Sequence, residues 1–418
     1  MVLIEGGQYG TSCARVGCMP SKLLIAAADN ANQMSLGELF GISPGGITVD
    51  GKRVMARVRS ERDRFVAATV RSVEKYPESH RIQGHARFAA PDRLVVGNEI
   101  EIQAQRIIIA TGSRPNIPDF LRAAKDRLIV SDDVFAWQDL PESIVVFGPG
   151  VIGLELGQAL SRLGVRIRMF GIGGAVGPIQ DNSIREYALR CFNEEFPLDP
   201  DSDVKRIERV SDGVAVTFTD GNAGEKTEIF EYLLAATGRS SNVDSLDIHN
   251  AEIELDKTGV PVFDPHTLRC GQSHIFIAGD ANNSLPLLHE AADEGRIADN
   301  NAASYPDVRT GLRQTPLAIV FTDPQIATVG LTIEQVDKRC QGRFTVGEVS
   351  FENQGRSRII AKNSGLLRLY GEHGSGLLMG AEMFAPGRRA HCSPARLFST
   401  AAADGQRNTR DAVLPPGY

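Results

Sequence analysis

The sequence predicts an α/β chain of parallel strands crossed by helices, followed by a smaller antiparallel region. Three observations predict it. The stretch Ile144-Val-Val-Phe-Gly148-Pro-Gly150-Val151-Ile152-Gly153-Leu-Glu155 is an apolar strand that runs into a Gly-x-Gly-x-x-Gly turn. A helical pattern then reaches Leu163 and a second strand covers Val165–Phe170, the context in which that turn carries meaning. A second device occurs twice, an apolar strand ending in Ala-Thr-Gly, at Ile107–Gly112 and at Tyr232–Gly238. From Thr315 onward the pattern changes, and 315–330 and 343–379 read as antiparallel strands.

Size and composition narrow the classes. A chain of 418 residues has room for two or three domains. A net charge of −7 leaves no basic face for nucleic acid. No apolar run approaches the ~20 residues of a membrane span, so neither nucleic acid nor membrane is expected as a partner. Six cysteines in this length do not make a secreted disulfide scaffold. A cytoplasmic location is expected, where a disulfide that matters is catalytic more often than structural.

The chain opens on Met1-Val-Leu-Ile-Glu5, a strand ending in an acid. In a dinucleotide-binding unit such an acid closes the second strand and binds a ribose hydroxyl, and the glycine turn comes about 20 residues earlier. Glu5 reads as that acid, so the first βα unit is expected to be missing here.

Thr11 to Lys22 reads Thr-Ser-Cys13-Ala-Arg-Val-Gly17-Cys18-Met-Pro20-Ser-Lys22. Five residues of regular helix separate two sulfurs by about 7.5 Å of rise and roughly 140° of rotation, too far for a disulfide. Gly17 permits the bend a cross-link needs. Pro20 suits the first turn of a helix through Leu23 to Ala28. That places Cys18 at a helix N-terminus, which favours a thiolate, with the Lys22 charge one turn on. Two buried cysteines or half of a zinc site are the other readings. Zinc needs further ligands, and Cys191, Cys270, Cys340 and Cys392 stand alone with no histidine cluster. The agreement of spacing, glycine, proline and lysine favours redox chemistry, with no metal.

Further on, 52–76 reads as a helix with Val54, Val58, Phe65, Val66, Val70 and Val73 inward, and 81–102 as short strands turning at Pro91-Asp92 and Gly97-Asn98. At Gly148, Gly150 and Gly153 the backbone can approach a pyrophosphate seated on the helix N-terminus, beside Val151 and Ile152. The second strand of that unit ends in Gly171-Ile-Gly-Gly, neither the acid typical of NAD sites nor the arginine of NADP sites, although Arg166 and Arg168 lie within it. Glu155 by itself reads as a solvated helix carboxylate. His274-Ile-Phe-Ile-Ala-Gly279-Asp280 is a strand ending in Gly-Asp, and 285–298 reads as a helix on which His289 is structural.

The Cys13–Lys22 stretch resembles the redox-active segment of the flavin-dependent disulfide reductases, the family of lipoamide dehydrogenase, glutathione reductase and mercuric reductase. Their Cys-x4-Cys-x-Pro-Ser-Lys pattern stands here intact. The resemblance implies two Rossmann-like dinucleotide-binding domains, for FAD and NAD(P), plus a C-terminal α+β dimerisation domain. The expected limits are 1–140 with 240–305 for FAD, 141–239 for NAD(P) and 306–386 for dimerisation. It implies that Cys13 exchanges with substrate, that Cys18 faces the flavin, and that Lys22 pairs with Glu155 beside the flavin ring. Asp280 is implied to hold the FAD ribityl chain, with Glu5, Ala86, Thr111, Gly112, Gly238 and Gly279 also at the cofactors. Where the family commonly has a proline before Asn242, this chain has Ser241.

Through Phe384 the chain follows the family. After Ala385-Pro386 it departs from it. The family's C-terminal His-Pro-x-x-Glu base, which reaches the opposite subunit of a homodimer, has no match, since His-Pro occurs nowhere in the chain. Residues 387–418, with His391 and Cys392, are expected to be an aberrant tail, arising from a frame shift near 387. The resemblance favours lipoamide dehydrogenase, oxidising a small-molecule or lipoyl-domain dithiol with NAD, NADP remaining open. A glutathione- or mercuric-reductase-like enzyme is one alternative. A remnant that only binds nucleotide or a partner subunit is another.

Overall fold

The structure, a computed structural model, describes residues 1–43, 45–221 and 224–387. The first strand β1 (Leu3–Glu5) leads into two consecutive helices, α1 (Ser12–Val16) and α2 (Cys18–Ser35), and then α3 (Gly51–Val73). With four Ala, two Leu and two Met among its 18 residues, α2 has good helix propensity. It buries Leu24 and Ala28, four residues apart on one face. Asp50 caps α3 by accepting from the Arg53 amide at 3.0 Å. Met55 and Val58 are the buried residues of α3. Phe65 shares the face of Val58 two turns on, yet is 42% exposed.

Strand β2 (Arg81–Gln83) pairs in parallel with β1. The antiparallel meander β3 (Ala86–Ala90), β4 (Arg93–Val96) and β5 (Ile100–Gln103) follows. Then come β6 (Ile107–Ile109) and β7 (Ser113–Pro115). The next unit holds β8 (Leu128–Val130), α4 (Ser131–Val134), β9 (Ser143–Phe147), α5 (Val151–Arg162) and β10 (Arg166–Phe170). It continues with α6 (Asn182–Glu195) and β11 (Leu198–Asp199), a meander of β12 (Val204–Val210), β13 (Gly213–Thr219) and β14 (Glu225–Phe230), and β15 (Tyr232–Ala235). Its main sheet runs β11-β10-β9-β15-β8 with every pair parallel. All five residues of β9 are buried, as in a parallel strand covered on both faces. This arrangement puts the glycine turn after β9 at the centre of the sheet, where doubly wound folds bind ligands.

The chain then returns to its first part. Strand β16 (Arg239–Ser241) pairs antiparallel with β7, and β17 (Ile275–Ile277) pairs parallel with β6. Helix α7 (Leu288–Ser304) starts three residues later than the sequence pattern suggested. Among the described residues β1 bonds only β2, and β6 only β17. Side chains join these two-stranded pieces, because Ile4 packs against the cluster of Ile107, Ile109, Ile275 and Ile277. The last region holds β18 (Leu317–Val320), β19 (Gln325–Gly330), α8 (Ile333–Cys340), β20 (Phe344–Ser350), α9 (Gly355–Ile359), β21 (Leu366–Glu372) and β22 (Leu378–Ala385). Its strands form one antiparallel sheet in the order β18-β19-β22-β21-β20. No described helix is long and apolar enough to cross a membrane. The stretch expected to be aberrant lies outside the described residues apart from Gly387.

A buried polar joint ties this last sheet to the second unit. Asp181 caps α6 through the Ser183 and Ile184 amides and meets Arg368 at 2.9 Å. The Tyr370 hydroxyl lies 3.2 Å from Asp181 and 3.3 Å from Glu382, whose other oxygen takes the Gln180 amide. Burial, then the two carboxylates, push the Tyr370 hydroxyl above its ordinary range, so it stays a donor. Tyr370→Phe removes that donor from buried carboxylates and is expected to cost about 1–3 kcal/mol, read from the denaturant midpoint.

Candidate active site

The two cysteines are brought together by a break between helices. The Thr11 hydroxyl caps α1 by accepting from the Ala14 amide at 3.3 Å. The Gly17 residue ends α1 and begins α2. A Cβ on Gly17 would lie 3.0 Å from the Ser12 carbonyl oxygen, so a side chain there would push the fold-back apart. Cys18 is the first residue of α2, and Pro20 sits in its first turn. Both sulfurs are half-buried and reduced in this structure.

Their titration is split. The Cys13 thiol donates a hydrogen bond to Cys18, which raises Cys13 far above the ordinary thiol range, with burial adding to the effect. The same bond lowers Cys18 from 9.0 to about 7, helped by the Lys22 charge and opposed by burial. One proton is therefore shared by the pair near neutral pH, with thiolate character on Cys18. A thiolate at a helix N-terminus beside a lysine is the poised form of a redox cysteine.

Lys22 and Glu155 are 133 residues apart in sequence, yet Nζ lies 2.7 Å from Oε2. Glu155 is buried on α5, contrary to the solvated reading of an isolated helix glutamate. Its second oxygen accepts the Phe321 amide at 2.9 Å. The Phe321 ring also covers Lys22, with Nζ 4.6 Å from the centroid. The cysteine helix, the helix after the glycine turn and the last domain therefore meet at this pair.

At the glycine turn the three positions differ. Gly148 has φ +104°, and a Cβ there would lie 2.4 Å from the Ala236 carbonyl oxygen. A Cβ on Gly153 would lie 2.0 Å from the Gly148 carbonyl oxygen. These two glycines let α5 pack on the sheet. A Cβ on Gly150 would meet nothing within 4 Å. That open position, at the head of α5 beside Val151 and Ile152, fits a dinucleotide pyrophosphate. Within β10, Arg168 bonds Glu228 at 3.1 Å and lies over the Phe218 ring, and Arg166 meets the same glutamate at 3.3 Å. The Gly173 amide is taken by Asp201 at 2.8 Å.

A second cluster gathers the remaining positions. Asp280 follows β17, and its Oδ2 accepts from the Ser113 hydroxyl at 2.8 Å. Ser113 is itself held by Arg239 at 2.7 Å. The carbonyls of Thr111 and Gly112 accept from Asn242. Gly238 accepts from the Asn116 amide at 2.9 Å. Ser241, at the family's proline position, donates to the Ala281 carbonyl at 2.5 Å. Gly279 donates its amide to the buried Glu294, which Arg313 neutralises at 2.9 Å. Gly112, with φ +68°, has no atom within 4 Å of a Cβ, so the space beside it is open. Glu5 ends β1 and accepts from the Gly7 amide at 2.8 Å. Ala86 heads β3 two residues beyond Gly84, whose amide donates to the Glu5 carbonyl at 2.9 Å. Asp280, Ser113 and Arg239 thus form one connected polar cluster, and Glu5 stands apart from it at the end of β1. His289 lies 3.9 Å from Glu290, away from the sulfurs in sequence and bonding.

Sequence reading missed Ser113, Arg239, Glu294, Arg313 and Phe321. Each acts through a partner distant in the chain, and no local spacing signals that.

Residues 1–295 match a family profile described as pyridine nucleotide-disulphide oxidoreductase, and residues 317–406 match its dimerisation domain. A dihydrolipoyl dehydrogenase of Halobacterium salinarum is 31% identical over 404 residues, covering 92% of this chain and 82% of the relative. A mycothione reductase of Mycobacterium tuberculosis is 30% identical over 391 residues, covering 91% and 83%. The HOCl-induced flavoprotein disulfide reductase RclA of Escherichia coli superposes with a TM-score of 0.79 at 21% identity, over 97% of this chain and 87% of that one. LpdA of Mycobacterium tuberculosis gives the same score at 23% identity, over the same shares. Those two likenesses concern the fold. With both profiles matched along the chain and the sulfurs, glycine turn and Lys22–Glu155 pair in place, the chain belongs to the pyridine nucleotide-disulphide oxidoreductase family, whose members use FAD and NAD(P).

Proposed function

We propose that the chain is a dihydrolipoamide dehydrogenase acting as a homodimer, passing electrons from a dithiol through Cys13 and Cys18 to FAD and on to NAD. The observation that carries this reading is the break at Gly17, which sets Cys18 at the head of α2, one turn from a lysine that a buried glutamate holds. FAD, when bound, supplies the two-electron relay between sulfur and nicotinamide.

The roles proposed here rest on the family resemblance together with the Lys22–Glu155 geometry. Cys13 is the exchanging sulfur, and a dithiol thiolate attacking it would break the Cys13–Cys18 disulfide and leave Cys18 as thiolate. Lys22 holds the negative charge on Cys18, and Glu155 keeps Lys22 in place without neutralising the sulfur. Because the thiolate beside it keeps Cys13 protonated, exchange at Cys13 in the opposite direction needs an external base. Gly150 leaves room for the nicotinamide pyrophosphate. The carboxylate of Asp201 beyond the end of β10, with Arg168 within that strand already engaged by Glu228, favours NAD over NADP, whose 2′-phosphate would meet negative charge at Asp201.

The test is turnover of dihydrolipoamide with NAD and with NADP, beside reduction of glutathione disulfide and mycothione disulfide with NADH and NADPH. The proposal expects dihydrolipoamide with NAD to give the highest kcat/KM. A higher value for either disulfide would reassign the substrate to a low-molecular-weight thiol. Lys22→Met is expected to raise the pH midpoint of Cys18 by about one unit, read by the rate of iodoacetamide labelling across pH. An unchanged midpoint would remove Lys22 from its assigned role.

A further inference from the structure

Phe321 follows β18 in the last domain, far in sequence from both cysteines and from the glycine turn. It nevertheless makes two separate contacts with the ion pair beside Cys18. Its backbone amide donates to Glu155 Oε1, and its ring lies against the Lys22 ammonium, 4.6 Å from the centroid. The Lys22 side chain is 35% exposed, so among the described residues these partners are what keep its long, flexible stem from turning to water. Glu155 fixes the ammonium from one side, and the electron-rich ring face fixes it from another.

We propose that Phe321 is a positioning residue, whose ring holds the Lys22 ammonium in the orientation that stabilises the Cys18 thiolate. The inference rests on the reading of Lys22 and Cys18 given above, and it adds a role for the last domain within a single chain. The ring supplies no charge and takes no part in electron transfer. It limits where the lysine charge can go. The amide contact to Glu155 survives any side-chain replacement other than proline, so the ring can be tested by itself.

The experiment measures iodoacetamide labelling of Cys18 across pH in the reduced full-length protein, with peptide mass spectrometry reporting Cys18 alone. The wild-type midpoint is expected at about 7. Phe321→Leu removes the ring face and is expected to raise the midpoint by about half a pH unit. Phe321→Tyr keeps the face and is expected to leave the midpoint in place. In a Lys22→Met background, Phe321→Leu is expected to add no shift, because its effect passes through the lysine. Phe321→Met, also apolar but unbranched, replaces leucine should the leucine variant fail to fold. The proposal is overturned by a leucine variant that titrates as wild type. It is equally overturned by equal shifts for leucine and tyrosine, or by a full shift in the Lys22→Met background. None of these readouts requires a redox cycle. A shifted midpoint in a chain that fails to turn over dithiols would uphold Phe321 while refuting the proposed activity.

Discussion

Cys13→Ala is expected to abolish dithiol turnover, by about a thousandfold or more, and to move the Cys18 titration at the same time. The first effect follows from losing the sulfur that exchanges with substrate, since among the described residues only Cys18 shares this fold-back and it cannot form the disulfide alone. The second has a separate cause. The largest influence lowering Cys18 is the hydrogen bond from Cys13, ahead of the Lys22 charge. Without it, burial acts against a thiolate supported only by Lys22 and the helix N-terminus, and the midpoint should climb from about 7 toward the ordinary 9.0. The sign is fixed. A group with a lowered pKa is charged above that pKa, so at pH 8 the wild type is mostly thiolate and the variant mostly thiol. Cys13→Ser, which keeps a hydroxyl donor, should lose turnover equally but shift the midpoint less. If Cys13→Ala titrated as wild type, the shared-proton picture would be wrong even with turnover abolished.

The glycine turn gives the second large effect, and its three positions should separate folding from binding. Gly153→Ala places a Cβ where the Gly148 carbonyl oxygen lies, 2.0 Å away. The helix must move off the sheet, and about 3 kcal/mol of stability should be lost. Gly150→Val differs. The Gly150 backbone is extended, with φ −79° and ψ −173°, which valine adopts freely, and a Cβ meets no protein atom within 4 Å. Stability should stay within about 0.5 kcal/mol of wild type. The branched side chain would instead occupy the approach to the amides at the head of α5. Losing two charge-assisted hydrogen bonds there should weaken NADH binding about a hundredfold. Thermal melts and NADH titrations of the two variants check this. Equal NADH affinity in wild type and Gly150→Val would place the pyrophosphate elsewhere.

Local chemistry was legible in the sequence where it is carried by close spacing. Cys13, Gly17, Cys18, Pro20 and Lys22 lie within ten residues, and each constrains the same turn. The strand–turn–helix around Gly148, Gly150 and Gly153 was legible because the periodicity changes at the glycines. The opening acid, the two Ala-Thr-Gly strands and the Gly279-Asp280 strand end could be found as strings, and the structure sets Asp280 against Ser113. Pairings across the chain were not legible from spacing. Lys22 and Glu155 came together only through the family resemblance, and Phe321, Glu294 and Arg313 through the structure alone. Their identities are ordinary for their elements, and only the packing of domains gives them partners. Phe65 shows the converse, an apolar residue at the right helical position that the described chain leaves exposed.

The most direct measurement is differential alkylation of the intact protein, before and after adding NADH to the flavin-loaded sample. Cys13 and Cys18 are expected to resist labelling in the oxidised protein and both to become labelled after reduction, while Cys191, Cys270 and Cys340 label identically in the two states. Identical labelling of Cys13 and Cys18 before and after NADH would contradict this expectation.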